Sequence, residues 1–153
     1  MVDAAARVDG VAGVDGAALG HDLIGAAGAL TNEEIAERLD RLFREKATVE
    51  GAILVLLGEV DRRQAYRDDG ATSSEAWAVE RFGVSTPTAR AYAHLADKAW
   101  EIPHLMGALC AGDLTLDKVR AVADVATPET DRDLREQAQE CSVRQLADLA
   151  RTN

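Results

Sequence analysis

Residues 31–63 read TNEEIAERLDRLFREKATVEGAILVLLGEVDRR, and the spacing of their apolar side chains decides the fold class. Ile35, Leu39, Leu42, Lys46, Val49, Ile53, Leu56 and Val60 recur at alternating steps of four and three, with Lys46 the only polar member. That is the period of a helix carrying a heptad stripe. Thr31 and Glu34 stand at the capping-box spacing, and Glu33, Glu34 and Glu37 suit the positive end of a helix. Unbroken to Arg63, the helix would be about 50 Å long, more than one small domain covers. Leu54, Val55 and Leu57 add a second apolar face to its C-terminal half. That half is therefore expected to be buried on two sides, as the post on which later helices pack. The N-terminal half invites a second use, pairing with another copy as a coiled coil in which one lysine at a core position helps to set register. Ile35, Leu39, Leu42, Lys46, Val49 and Ile53 are the candidate dimer-interface residues. Gly51 and Gly58 each lower helix propensity by about 1 kcal/mol, which points to close packing at those turns.

Downstream, residues 70–97 read GATSSEAWAVERFGVSTPTARAYAHLAD, two short helices meeting at a tight turn. Thr72 and Glu75 form a capping-box pair for the first helix, whose Ala76, Trp77, Val79 and Phe82 can share a buried face. Gly83 supplies the stop. Ser85 caps the second helix, with Pro87 in the first turn and Ala89, Tyr92, Ala93 and Ala96 at helical spacing. The outline is that of a helix-turn-helix, whose second helix would present Thr86, Thr88, Arg90 and His94 to a DNA groove. Arg81 and Lys98 are nearby cations, and Arg62, Arg63 and Arg67 form the densest basic group in the chain. These nine residues are the DNA-binding candidates. Three features weigh on the other side. A glycine-stopped helix followed by a serine-capped one also describes an ordinary helical hairpin. The position four before the turn glycine, favoured small in such units, is Val79. Asp61, Asp68 and Asp69 lie close enough to neutralise the arginine group, as at a solvated helix end.

Beyond the pair, Pro103 opens a short helix with Leu105, Met106, Leu109 and Cys110, closed by Gly112. Thr115 caps an amphipathic helix with Leu116, Val119, Val122 and Ala123 inward. Thr127-Pro128 reads as the start of another with Leu134 and Ala138, and Ser142 with Gln145 as the capping box of a last one. No segment alternates with period two. The expected fold is all-α, a long N-terminal helix followed by about six shorter ones, including the helix-turn-helix-like pair. Residues 1–29, with six glycines and Val-Asp-Gly twice, are expected to be a disordered Ala/Gly/Asp tail ahead of a helical domain over 30–153. A phosphate-cradling role for these glycines lacks both a preceding strand and a following Lys-Ser/Thr.

The totals limit function. The 153 residues suit one domain able to bury a core without staples. Seventeen basic against 27 acidic residues give a formal charge of −10, which repels a polyphosphate at long range, so DNA binding would rest on a few placed cations and be salt-dependent. Cys110 and Cys141 have neither metal-ligand nor disulfide-framework spacing and read as reduced thiols packed as small apolar groups. The longest apolar run, Ala52 to Leu57, is far shorter than the ~20 residues that span a bilayer. The acidic amino terminus lacks the basic start of a secretory signal, so a cytoplasmic protein without membrane contact is expected. None of His21, His94 and His104 has an acidic or hydroxyl partner at a telling spacing. No catalytic, metal-ligating or cofactor-binding residue is assigned.

Five elements occur in order: Asp61-Arg62-Arg63 at a helix end, Gly70 before a helix bearing Trp77, the Gly83-Val84-Ser85 turn, the Ile102-Pro103 step, and the Ala111-Gly112-Asp113-Leu114-Thr115 turn before an amphipathic helix. Together they resemble domain of unknown function 222, the 13E12 repeat family, over about residues 31 to 150. The resemblance implies a helical module of a mobile-element or DNA-processing protein, because in that family the domain stands ahead of an HNH endonuclease domain in actinobacteria and their phages. The HNH chemistry needs histidines and a metal-holding ββα finger, which this sequence does not offer. The implied role is non-catalytic: DNA recognition, the target being duplex DNA, or assembly through a homodimer without DNA contact. The family's domain continues further, so an end directly behind a helical pattern reads as a truncation within something larger.

Overall fold

The computed structural model describes residues 16–152, and over them the chain is all-α. A short helix α1 (Gly16–Gly28) precedes the long helix α2 (Asn32–Arg63). Six shorter helices follow: α3 (Ser74–Phe82), α4 (Thr86–Lys98), α5 (Pro103–Ala111), α6 (Leu116–Ala123), α7 (Asp131–Glu140) and α8 (Val143–Thr152). Single 3-10 turns at Ala65–Asp69 and Ala99–Glu101 make two of the connections. The chain divides after Asp40 into two compact units, and α2 runs through the boundary.

In the first unit, residues 1–15 of the expected tail lie outside the described residues, and Gly16–Gly28 is helical where a tail is expected. Between its glycines stand Ala17, Ala18, Leu19, Leu23, Ile24, Ala26 and Ala27, good helix formers that offset the glycine penalty. No residue of α1 is buried. The start of α2 follows the sequence: Glu34 N–H donates to Thr31 Oγ1 at 3.1 Å and Thr31 N–H to Glu34 Oε1 at 3.2 Å. The hydrogen bond from the Thr31 backbone lowers the Glu34 carboxyl from its ordinary value.

In the second unit, α2 meets the other helices through a line the heptad stripe does not contain. Ala47, Gly51 and Leu54 are its buried residues. A Cβ at Gly51 would lie 2.7 Å from Cys110 Sγ and 3.0 Å from Cys110 Cα, so α5 approaches the bare backbone of α2. A Cβ at Gly58 would meet the Ala96 carbonyl at an ordinary 3.6 Å. The expectation of burial on two sides is therefore corrected: Leu54 is fully buried, but Val55 and Leu56 are exposed. Small side chains let two backbones close up, and the helix turns inward the face that allows it.

The core gathers Leu54 of α2, Leu95 of α4, Leu105 and Leu109 of α5, Val119 and Val122 of α6, Leu134 of α7 and Leu146 of α8. Helix α6 packs on α8 and α5 on α7. Cys110 and Cys141 are unpaired and half-buried. Thr115 Oγ1 accepts from Lys118 N–H, and Ser142 with Gln145 closes a reciprocal box at 3.2 and 2.8 Å, both as the spacing predicts.

Two helix starts differ from expectation. Helix α3 is capped by Ser73, whose Oγ accepts from Ala76 N–H at 3.1 Å, and not by Thr72. Both hydroxyls are competent caps, and burial of the next residue, Ser74, against Asp61 fixes the later register. Thr127-Pro128 does not open α7. Thr127 and Thr130 exchange hydrogen bonds through their side chains in a turn, and the helix begins at Asp131.

Asp131 is fully buried. Its carboxylate accepts the backbone N–H of His104 at 2.6 Å and of Leu105 at 2.9 Å, capping the start of α5 from 26 and 27 residues away. Pro103 occupies the first position of α5 and has no N–H, so these two donors are the ones needing a partner. Replacing Asp131 by Ala leaves both donors unbonded, that of Leu105 buried, with an expected loss of about 3 kcal/mol in urea unfolding. Asp131→Asn keeps an acceptor oxygen and should lose clearly less. Equal stability of all three proteins would contradict this role.

Candidate functional site

The helix pair α3–α4 has the connection the sequence predicts. Gly83 sits at φ 69° and its N–H donates to the Val79 carbonyl, a conformation that side chains disfavour. Ser85 Oγ then accepts from Thr88 N–H at 3.2 Å to start α4. The small residues that let the helices meet are Ala78, 3% exposed, and Ala89, 2% exposed. Val79 is thus no obstacle, because Ala78 takes the inward position one residue earlier. Trp77 anchors the pair's outer side. Its Nε1 donates to Asp69 Oδ2 at 2.7 Å, the Phe82 ring meets it edge-on at 5.3 Å, and the Arg81 guanidinium lies 5.5 Å from its ring centre.

The DNA-binding candidates divide into paired and unpaired groups. Arg62 and Arg63 both close on Glu59, Arg62 through bonds of 2.6 and 2.9 Å. These bonds, that of Arg62 first, hold the Glu59 carboxyl down to about 2. Arg81 pairs with Asp69 at 3.2 Å, Lys98 with Glu101 at 3.1 Å, and His94 with Asp124, which follows α6. An acidic partner for His94 is thus present, supplied from 30 residues away. Thr88 is half-buried within the cap of α4. Arg67, Thr86 and Arg90 remain exposed, and among the described residues the two arginines have no carboxylate within ion-pair distance. The open cleft beside α4 sets Asp61, Glu75 and Asp97 against Arg62, Arg90 and His94, a mixed surface rather than a basic one.

The dimer-interface candidates share one property, exposure along a single helix. Ile35 and Leu39 of the first unit are exposed, as are Leu42 (46%), Val49 (58%) and Ile53 of the second. Phe43 and Leu56 (66%) extend the row. Lys46 lies among them, 5.7 Å from the Phe43 ring centre and 4.0 Å from Glu50. At the C-terminal end of this ridge a groove of about 420 Å³ opens, lined by Leu56, Val60, Trp77, Phe82, Val84 and Tyr92. Its lining is almost wholly apolar, and no local pattern in the sequence marks α3 and α4 as completing it.

Beside the ridge, Glu50 is nearly buried. Burial pushes its carboxyl up from the ordinary value, Lys46 partly offsets this, and Asp117 adds to it. Tyr92 is raised as well, by burial first and by Glu50 second. Among the described residues no helix is long and apolar enough to cross a membrane, and no group of three His, Cys, Asp or Glu side chains is placed to hold a metal ion.

No protein-family model, no curated protein and no solved structure matches this chain.

Ionised Glu50 costs stability, since the fold favours its protonated form. That cost is fully present above the folded-state pKa and is relieved as pH falls through it. Glu50→Gln is expected to raise the urea midpoint at pH 7, because the amide keeps the shape and carries no charge to desolvate. The gain should fade as pH is lowered through the ordinary carboxylate range. A gain independent of pH would contradict the electrostatic cause.

Proposed function

We propose that this chain is a helical protein-interaction module that docks its partner along the outward ridge of α2. The observation that carries the reading is the contiguous exposure of Leu42, Phe43, Val49, Ile53 and Leu56, continued by the apolar groove under Trp77 and Phe82. Surface apolar residues scattered singly are normal, but a row with a groove at its end is the mark of a docking face. Its heptad spacing suits a helical partner. The acidic balance of the chain supports the same reading, because it disfavours a polyanion as the partner. The triple variant Leu42→Glu, Val49→Glu, Leu56→Glu should keep the stability of the parent within about 0.5 kcal/mol, as these positions are exposed. It should also lose the proteins that the parent recovers from its native cells. Recovery of the same set by both would contradict the reading.

A second reading is DNA recognition by α3 and α4, favoured by exposed Thr86 at the start of α4 and by Arg67 and Arg90, which no carboxylate among the described residues neutralises. The resemblance to domain of unknown function 222, with its neighbouring HNH endonucleases, supports it too. Binding to random duplex DNA at low salt should then fall at least about tenfold in Arg67→Glu, Arg90→Glu, at about one decade per 1.4 kcal/mol. Unchanged binding, or none by the parent, would remove this reading.

A further inference from the structure

We infer that the ridge of α2 pairs antiparallel with a second copy of this chain, Lys46 of each copy lying beside Glu50 of the other. The inference rests on the reading of the ridge as a docking face and names its partner.

The charges on the ridge choose between the two ways in which identical helices can pair. In a heptad reading of the stripe, Lys46 and Ile53 are alternate core positions, Leu42, Val49 and Leu56 the intervening ones, and Glu45, Glu50 and Ala52 flank them. A parallel pair would bring Lys46 against Lys46 in one core layer and Glu45 against Glu50 on the flank. Both are like-charge contacts, and they fall at the centre of the ridge. The antiparallel pair sets Lys46 opposite Val49 and Leu42 opposite Ile53, and puts Glu45 across from Ala52. Lys46 of one copy then comes within one residue's rise of Glu50 of the other, twice by symmetry. Among the described residues Glu50 has one cationic partner, its own Lys46 at 4.0 Å, and lies near Asp117, so a second cation there relieves the cost of its burial.

The test is site-directed disulfide trapping of the full chain, with Cys110 and Cys141 replaced by Ala. All three probe positions, Glu45, Ala52 and Leu56, are exposed in the monomer. A mixture of Glu45→Cys and Ala52→Cys chains, oxidised mildly, is expected to give a cross-linked dimer as the main product, and Leu56→Cys alone to stay uncrossed, because the antiparallel register holds the two Leu56 positions about 25 Å apart along the helices and a parallel pair sets them side by side. The parent should sediment as a dimer at high micromolar concentration. A main product from Leu56→Cys alone would overturn the antiparallel register and leave the ridge as a docking face. No cross-link, with a parent that sediments as a monomer, would overturn self-pairing. In that case ridge-dependent recovery of another protein would still uphold the docking face, and its absence would end both readings.

Discussion

The arrangement turns on the contact between Gly51 of α2 and Cys110 of α5. A Cβ at Gly51 would stand 2.7 Å from the Cys110 sulfur, closer than such atoms approach, so the two helices can lie this near only with glycine there. About one turn to either side, Ala47 and Leu54 are buried in the core as well. A helix has one face to give to such a contact. By turning the Ala47–Gly51–Leu54 line inward, α2 turns Leu42, Val49 and Leu56 outward, and the ridge follows from the packing.

Two consequences meet at the C-terminal end of α2. The pair α3–α4 lies against Leu57 and Val60, and the Trp77–Phe82 edge contact holds open an apolar groove where the ridge ends. The charged side chains nearby are largely spent on one another: Glu59 takes two arginines, Asp69 takes Arg81 and the Trp77 indole, and Asp124 takes His94. Surface pairs of this kind add little stability. Their effect is to leave few cations free, and the apolar ridge is the more pronounced feature of the surface.

Much of the fold was legible in the sequence because it is written locally. The caps at Thr31, Ser85, Thr115 and Ser142 involve residues three apart, and the glycine stop at Gly83 needs only its own φ. The heptad period of α2 was equally plain. What the period could not tell was which side faces in, since an apolar stripe reads as core by default, whereas here the small residues Ala47 and Gly51 dictate the contact. Where two hydroxyls compete, as at Thr72 and Ser73, tertiary burial of Ser74 decides. The alanine and leucine content of α1 outweighed its glycines in a way that counting glycines missed. Asp131 and Asp124 lay beyond sequence reasoning altogether, because their partners are 26 to 30 residues away and nothing local marks them. For the candidate site, Leu42, Val49, Ile53 and Leu56 of the ridge stand in the heptad stripe, but Phe43 lies off its period and was not singled out; the groove was not foreseen either, because it is assembled from three helices.

Helix α2 packs with one face and leaves the other outside the fold. Urea unfolding of Leu54→Ala and of Leu56→Ala at low micromolar concentration separates the two faces. Leu54 is fully buried and Leu56 is 66% exposed, so Leu54→Ala should cost about 2–5 kcal/mol and Leu56→Ala less than about 0.5 kcal/mol. Similar losses for the two would mean that both faces of the helix are packed in the native chain, and the ridge would not be a free surface.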